Sequence, residues 1–189
     1  MSSRTESGTP GRNPTSVRRA RLPRDLGAVR ALFLEYRAWQ VEHREVTAFD
    51  DALLERGLRY FDQEVASLPG DYAPPRGALF LAFRGTEPVG LGALRPLKAN
   101  VGEAKRIYVR PEARGTGLGR RITRAILNRA RTLGYVRVVL DTLPTMTVAI
   151  ALYRSMGFVP IPAYWSHPFP TALFFEYRFS GPGRTSPKA

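Results

Sequence analysis

The stretch IYVRPEARGTGLGRR, from Ile107 to Arg121, places three alternate glycines among arginines directly behind an apolar run. Gly115, Gly117 and Gly119 leave the backbone bare, so a ligand can closely approach its amide groups. Where such a loop opens a helix, the first N–H groups are unpaired and carry partial positive charge. The combination predicts a binding site for an anion, most readily a phosphate group.

Two familiar nucleotide-binding loops do not fit this stretch. The dinucleotide pattern G-x-G-x-x-G fails because the glycines stop after Gly119. The pattern G-x-x-x-x-G-K-[ST] fails because Arg120 follows that glycine and no Lys-Ser or Lys-Thr pair is present. The sequence therefore favours neither NAD nor ATP as the phosphate-bearing ligand.

Positive charge is concentrated around the glycine loop. The chain of 189 residues has a formal net charge of +13, and ten basic residues stand against one acidic residue, Glu112, between Lys105 and Arg137. A basic segment centred on one loop favours a specific polyanionic ligand over a diffuse coating of nucleic acid. We therefore do not expect nucleic acid as a partner, although binding through the basic N-terminal segment remains an alternative.

The composition excludes several kinds of chemistry. The sequence has no cysteine, which excludes disulfides, thiolate metal ligands and a cysteine nucleophile. His43 and His167 lie far apart, without a partner at helical ligand spacing, so we expect no metal. No apolar run approaches the roughly 18 residues of a membrane span, and the N-terminus lacks a secretory pattern. These features predict a cytoplasmic protein that does not enter the membrane.

Hydrophobic periodicity predicts the elements that position the loop. In chain order they are a strand at 17–22, a helix that begins near Pro23 and Asp25, a helix at 49–66, a hairpin at 78–97, a strand at 103–109, a helix at 118–133, a strand at 136–142, a helix at 145–158 and a strand at 171–179. This order predicts the α/β (α+β) class, with a mixed, mostly antiparallel sheet and helices on both faces.

The elements form one predicted domain, from about residue 17 to residue 180. Residues 1–16 and 181–189 are rich in Ser, Thr, Gly, Pro and Arg without periodicity, which predicts a disordered basic tail and a disordered C-terminal tail. Between them the sequence shows no linker, repeat or low-complexity segment.

The segment from Arg114 to Gly119 fits the pattern Arg-x-x-Gly-x-Gly. With the preceding strand and the downstream AIALYRSMGF, it closely resembles the GNAT superfamily of acetyl-CoA-dependent N-acetyltransferases, most specifically between Glu103 and Phe158. The stretch from LDTLPTM to HPFPTALFFEYRF resembles a subgroup of small bacterial members with unassigned substrates. The resemblance implies a GNAT fold, in which a central parallel strand pair is splayed for coenzyme A, with acetyl-CoA as cosubstrate.

The resemblance implies that two backbone segments bind the coenzyme. Pantetheine would pair with the exposed strand edge at 107–109 as an added peptide strand does, and amides across 114–120 would cradle the pyrophosphate. The implied residues are Ile107, Tyr108, Val109, Arg114, Gly115, Thr116, Gly117, Leu118, Gly119 and Arg120. Many members have an asparagine where this chain has Met146, so we expect that contact to be missing or replaced by Thr142 or Thr145.

Acetyl transfer to an amine requires a proton acceptor for the amine, a proton donor for the leaving thiolate and hydrogen bonds to the oxyanion. Tyr153 occupies the position of the family's general acid, and a tyrosine with a pKa of about 10 can protonate a thiolate whose pKa is about 8.5. Glu103 lies where several members hold a catalytic glutamate. A solvent-exposed carboxylate at a strand end is the alternative interpretation, and other members use ordered water. The N–H of Val109 is the implied oxyanion donor.

The sequence says less about the acceptor amine than about the coenzyme or the proton donor. Residues that could line its cleft, each also explained by packing or surface position, are Tyr36, Trp39, Asp141, Tyr164, Trp165 and His167. The leading hypothesis is an acyltransferase that moves an acetyl group to a primary amine of a small molecule by direct attack in a ternary complex. The positive field favours an amine that also carries a carboxylate or phosphate.

Two other functions stay open on sequence grounds. One is acetylation of a protein N-terminus or lysine, and the other is noncatalytic binding of acyl-CoA. A homodimer formed through an edge strand is compatible with the resemblance.

Overall fold

The computed structural model describes residues 14–43, 51–167 and 169–180. Its elements, in chain order, are β1 (Thr15–Arg19), α1 (Leu26–Glu42), α2 (Asp51–Ser67), β2 (Ala78–Arg84), β3 (Glu87–Lys98), β4 (Val101–Val109), α3 (Leu118–Thr132), β5 (Arg137–Thr142), α4 (Thr147–Ser155), β6 (Val159–Ile161) and β7 (Leu173–Arg178). Most of the N-terminal tail, the C-terminal tail and the predicted helix start at 49–50 lie outside the described residues. No helix in the described ranges is long and apolar enough to cross a membrane.

The seven described strands form one sheet in the order β1-β2-β3-β4-β5-β7-β6. β4 and β5 run parallel, whereas the other neighbouring pairs are antiparallel. A parallel pair needs a crossover connection, and α3 forms most of the connection between β4 and β5. The predicted mixed, mostly antiparallel sheet is confirmed.

Alternation along β2 sends side chains into two separate cores. Leu79 and Leu81 pack with α1 and α2 on one face of the sheet, whereas Phe80 and Ala82 pack with α3 and α4 on the other. This follows from strand geometry, in which successive side chains point to opposite faces. The predicted placement of helices on both faces is confirmed.

The parallel strands pair only near their beginnings. The paired residues are Val101 with Arg137, Gly102 with Val138, and Glu103 with Val139. β4 then continues through Val109 and β5 through Thr142 without further pairing between them. The edge of β4 that faces β5 is therefore left without a strand partner over residues 104–109.

A bulge in β4 lies close to the point where the two strands diverge. Between the pairs Leu91–Tyr108 and Ala93–Lys105, β4 contributes one more residue than β3. Within this bulge Arg106 has a φ of 57° and is, among the described residues, the one non-glycine with positive φ. Because a bulge bends its strand and increases the local twist, β4 turns away from β5 here. The expected splayed central pair is confirmed.

The first strand ends earlier than hydrophobic periodicity predicts. β1 covers Thr15–Arg19 instead of 17–22. The Asp25 carboxylate accepts hydrogen bonds from the backbone N–H of Arg21 (2.7 Å) and from the guanidinium of Arg18 (2.5 Å). These bonds fold the following residues into a turn, because a short acidic side chain offers the backbone an alternative to the strand ladder.

The short strand β6, Val159–Ile161, was not predicted. It contains only three residues, one of them Pro160, and it pairs with β7 at the edge of the sheet. Three residues are too few to show a period of two, and proline within a strand is confined largely to edges.

Gly92 on β3 allows α3 to lie close to the sheet. A Cβ at this position would lie 2.3 Å from Cγ2 of Ile122 and 3.1 Å from Cδ1 of Ile126. Both isoleucines are fully buried, so neither can move aside without repacking its neighbours.

We expect Gly92→Ala to lower the free energy of unfolding by about 1–3 kcal/mol, because the added methyl overpacks the contact with α3. Urea denaturation measures this change. Gly27→Ala is the matched control, because a Cβ there meets nothing within 4 Å and alanine favours the helix. Equal stability of the two variants would contradict the close approach of α3.

Candidate functional site

The loop between β4 and α3 has a backbone shape that suits an anion. Gly115 and Gly117 have left-handed φ values of 75° and 81°, and a Cβ at either position would meet nothing within 4 Å. Gly117 precedes the 15-residue helix α3, and no side chain forms a cap hydrogen bond at this helix start. The Thr116 hydroxyl donates to the carbonyl of Ala113 (2.7 Å) and braces the turn. Unpaired N–H groups at the start of α3 therefore lie beside open space.

The arginines around this loop divide into two groups. Arg114 and Arg120 stay beside the loop and bond to uncharged acceptors. Arg114 Nε donates to the Val109 carbonyl (3.0 Å), and its guanidinium lies 4.9 Å above the Trp39 ring. Arg120 donates to the Ser155 hydroxyl (2.6 Å). The second group is bound elsewhere in the fold: Arg106 to Glu64, Arg110 to Glu35 and Glu87, and Arg121 to Thr15. Charge density along the sequence thus overstates the charge available to a ligand.

A cavity of about 620 Å³ lies where β4 and β5 diverge. Its wall combines the unpaired end of β4, the glycine loop, the end of β5, and parts of α1 and α4. Nine of the residues predicted to bind the coenzyme line it: Ile107, Tyr108, Val109, Arg114, Gly115, Gly117, Leu118, Gly119 and Arg120. Thr116, the tenth, does not line the cavity but stabilises the loop through its bond to Ala113. The two backbone segments that the sequence singled out thus meet in one cavity.

Tyr153 on α4 lines the same cavity. The residue is 7% exposed, and its ring centroid lies 5.7 Å from that of Phe158. Burial raises the pKa of Tyr153 well above its ordinary value, and nearby Tyr36 and Asp141 raise it further. The hydroxyl therefore keeps its proton at neutral and moderately alkaline pH, as a proton donor must.

Glu103 lies inside the fold, not at a solvent-exposed strand end. It is 0% exposed, and its carboxylate accepts hydrogen bonds from Arg95 Nε (2.5 Å) and the Tyr164 hydroxyl (2.8 Å). Lys105 Nζ lies 3.7 Å away. Glu103 is not among the described residues that line the cavity. Its predicted role as the base therefore depends on a connection through these neighbours.

A polar cluster forms around Asp141 at the end of β5. Its Oδ1 accepts a hydrogen bond from Lys105 Nζ (2.7 Å) and lies 3.3 Å from the Tyr164 hydroxyl, whose one proton is nearer to Glu103. His167 Nε2 lies 3.2 Å from its Oδ2. Burial alone would raise the pKa of Asp141, but Lys105 and His167 outweigh it and hold that pKa well below its ordinary range. Asp141 therefore places an ionised carboxylate in the cavity wall.

His167 also lines the cavity, but both of its ring nitrogens are engaged. Nδ1 accepts the backbone N–H of Phe169 (3.0 Å), so the hydrogen-bond pattern assigns the proton of the neutral ring to Nε2, which faces Asp141. In this arrangement His167 orients the carboxylate and has no free lone pair with which to act as a base.

Of the Asp141 cluster, the sequence reasoning named Asp141, Tyr164 and His167 as acceptor-cleft candidates but missed Lys105. The spacing of Glu103 and Lys105 could have pointed to Lys105. The two residues are two positions apart in an apolar strand and therefore share one face. Charged residues on a buried strand face are expected to find partners. Their partner Asp141 lies 36 residues after Lys105, which strand periodicity alone does not reveal. Within the described ranges, no group of three or more His, Cys, Asp or Glu side chains could hold a metal ion.

Comparison with known proteins identifies the family. Residues 30–158 match the model of the acetyltransferase (GNAT) family. A Schizosaccharomyces pombe protein, named as an uncharacterised N-acetyltransferase, is 32% identical over 168 residues, which cover 87% of this chain and 95% of that protein. The chain therefore belongs to the GNAT family of acetyltransferases.

Solved structures share its fold. The PaiA N-acetyltransferase of Thermoplasma acidophilum, in complex with coenzyme A, has a TM-score of 0.67 at 15% identity, covering 88% of this chain and 99% of that one. A ribosomal-protein-alanine N-acetyltransferase of Brucella melitensis has a TM-score of 0.58 at 21% identity, covering 87% and 99%. At these identities the likeness concerns the fold alone. With the family match, it supports an acetyl-CoA-dependent acetyltransferase.

We expect the free energy of unfolding to fall as the protein is acidified below about pH 5, because carboxyl groups in an unfolded chain titrate near pH 4. Glu64, Asp141 and Glu176 have lowered pKa values, since the bonds from their cationic partners outweigh burial. Their stabilisation is complete above the unfolded pKa and is lost as the pH falls through the folded values. Urea denaturation at pH 7, 5, 4 and 3 measures the loss.

High salt provides the control for this acid effect. Repulsion among surface charges of this basic protein is screened at about 0.5 M salt, where the Debye length is only a few ångströms, whereas buried pairs are screened much less. A stability loss that disappears in high salt would contradict an origin in the buried carboxylates.

Proposed function

We propose that the protein transfers an acetyl group from acetyl-CoA to a primary amine of a small molecule, by direct attack within a ternary complex. The observation that carries this proposal is a single cavity, shared by the glycine loop, the unpaired edge of β4, Tyr153 and Asp141. The glycine loop would take a diphosphate, and the ionised and aromatic side chains of the wall would take an amine. Tyr153 and the edge of β4 line the same cavity.

The coenzyme would lie along two backbone segments of this chain. N–H groups at the start of α3 and the open glycines would hold the diphosphate. The edge of β4 at Ile107–Val109 would pair with the amide groups of pantetheine, as a sheet edge pairs with an added strand. The Val109 carbonyl accepts a bond from Arg114 Nε, so an amide of the coenzyme that pairs there would replace this bond.

Tyr153 would act as the acid. As the amine nitrogen bonds to the acetyl carbon, the carbon–sulfur bond breaks, and the Tyr153 hydroxyl gives its proton to the leaving sulfur. The ammonium loses its first proton to the base before attack, and that proton is released. The second proton leaves the nitrogen after attack and restores the hydroxyl, so the products are the amide, coenzyme A as a thiol and one proton. The raised pKa of Tyr153 supports this order, because the hydroxyl is neutral before attack.

Asp141 would hold the incoming ammonium by charge. Its carboxylate lines the cavity and accepts bonds from Lys105 and His167, whereas the single proton of the Tyr164 hydroxyl lies nearer to Glu103. Lone pairs of this carboxylate are therefore left for a ligand. With its lowered pKa, Asp141 would attract the ammonium by charge, and Glu103, which lies beyond Tyr164, stays the proposed proton acceptor.

The residues that would contact the amine favour a small substrate. Aromatic and imidazole rings line the cavity here: Tyr36 and Trp39 of α1, and His167 and Phe169 between β6 and β7. The coenzyme and the amine would share the cavity of about 620 Å³, so only part of this volume is left for the amine, which favours a small molecule. Lys105 and Arg106 are both paired with carboxylates, so the structure gives no reason to require an anionic group on the amine.

We expect Tyr153→Phe to lower kcat by about 100-fold or more, which is the usual contribution of a positioned general acid. Phenylalanine preserves the packing against Phe158, so acetyl-CoA affinity measured by calorimetry should not change. Because the pKa of Tyr153 is raised, kcat of the unmutated enzyme should not fall with increasing pH up to about pH 10, the ordinary tyrosine pKa. Turnover by the variant equal to that of the unmutated enzyme would contradict the role of Tyr153.

A coenzyme-release assay tests the acceptor class. Purified protein with acetyl-CoA is screened against amino acids, aminoglycosides, polyamines, arylalkylamines and peptides with free N-termini or lysines. We expect release of thiol that depends on one of the small amines, with mass spectrometry showing an acetylated product. Activity confined to the peptides would replace the small-molecule proposal with protein acetylation.

A further inference from the structure

The bulged residue Arg106 is bound to helix α2 through a buried ion pair. Arg106 Nε lies 3.1 Å from both carboxylate oxygens of Glu64, and its Nη2 makes a further short contact with Oε2. The side chains of Arg106 and Glu64 are 13% and 10% exposed, respectively. The guanidinium also lies 4.3 Å above the ring of Phe61, on the same helix. One buried contact therefore joins α2 to the bulge of β4.

The backbone at this contact is strained. Arginine in the left-handed region places its Cβ against the following carbonyl, at a cost of roughly 1–2 kcal/mol, and glycine would avoid that cost. Strained residues persist where the surroundings determine their conformation. Here the surroundings are the carboxylate of Glu64 and the ring of Phe61, which hold the side chain from the α2 side.

The restrained residue directly precedes the proposed coenzyme-binding edge. Arg106 lies within the bulge, next to Ile107, and lines the cavity itself. The backbone at Ile107–Val109 must keep its distance from β5 if a ligand is to pair with it. No backbone pairing with β5 fixes that distance, because the two strands share no paired residues beyond Glu103 and Val139, and the side-chain bond from Lys105 to Asp141 lies before the bulge.

We propose that Glu64 is a positioning residue for coenzyme binding. By fixing the Arg106 side chain, Glu64 holds the bulge in its left-handed conformation and keeps the open edge of β4 ready for the coenzyme. Coenzyme affinity then depends on α2, a helix that does not itself line the cavity among its described residues. This inference rests on the proposed coenzyme-binding edge.

Two further groups, a hydroxyl and an ammonium, act on the pair. Glu64 also accepts a hydrogen bond from the Tyr72 hydroxyl, in the turn after α2. Burial raises the pKa of Glu64, but the bonds from Arg106 and Tyr72 outweigh it, and Lys105, adjacent to Arg106, adds a smaller lowering effect. Removing either partner of the pair leaves the other charge buried without its partner, so single substitutions affect both stability and position.

A double substitution separates these two effects. Glu64→Gln and Arg106→Gly each leave one unpaired buried charge, so each should lower the unfolding midpoint in urea. Glu64→Gln combined with Arg106→Gly removes both charges and places glycine where φ is 57°, so most of the stability should return. The edge of β4 is then no longer held, and we expect the Kd for acetyl-CoA, measured by calorimetry, to remain about tenfold weaker than in the unmutated protein.

Asp62→Asn is the matched control. Asp62 lies on the same helix and forms an ion pair with Arg37 of α1 (2.6 Å), away from β4. We expect its Kd for acetyl-CoA to equal that of the unmutated protein. Amide hydrogen exchange at residues 105–109 is a second readout, and it should become faster in the double variant but not in the control.

The outcomes distinguish this inference from the proposed function. If the double variant regains both stability and coenzyme affinity, or if Arg106→Gly alone binds acetyl-CoA as tightly as the unmutated protein, Glu64 has only a structural role and the inference is overturned. If the unmutated protein does not bind acetyl-CoA, the proposed function fails first.

Discussion

The site depends on two parallel strands that stop pairing before they end. A buried backbone N–H or C=O that lacks a hydrogen-bond partner is unfavourable, so strands in a core normally remain paired along their length. β4 and β5 separate after three residue pairs, and the cavity occupies the gap. The fold maintains this arrangement with a bulge, a helix that restrains it and an arginine that binds the Val109 carbonyl. A ligand that carries its own amide groups completes the same edge.

Buried ion pairs fix the geometry of β4 beside this gap. Glu103 is bound to Arg95, Asp141 to Lys105, and Glu64 to Arg106. Such pairs contribute little net stability, because desolvation offsets much of their attraction, but they require particular distances and directions. Each of these pairs includes a residue of β4 and fixes where a charge lies along it. The net charge of the chain is therefore a poor guide to the charge that a substrate meets.

The fold class and the glycine loop could be predicted because their signals are local. Alternating and helical periodicities gave the order of most elements, and Gly115 and Gly117 adopt the left-handed conformations for which glycine is suited. Local patterns do not reveal pairings across 36 to 42 residues, such as Lys105 with Asp141 or Arg106 with Glu64. A bulge is one extra residue without a sequence signature of its own. For the same reason Glu103, predicted to face the cleft or solvent, proved to be fully buried.

The two cores that flank the sheet contribute different residues to the site. Helices α3 and α4, with the glycine loop and Tyr153, belong to one core, whereas α1 with Tyr36 and Trp39 belongs to the other. β4 is the shared wall: Tyr108 packs toward one core, and Ile107 and Val109 pack toward the other. On the proposed assignment of the amine to the α1 side, substitutions on α1 other than at Trp39, which contacts Arg114, would change the amine site and leave the coenzyme-binding backbone in place. In a fold divided in this way, the residues that contact the substrate can change while those that bind the coenzyme and donate the proton are kept.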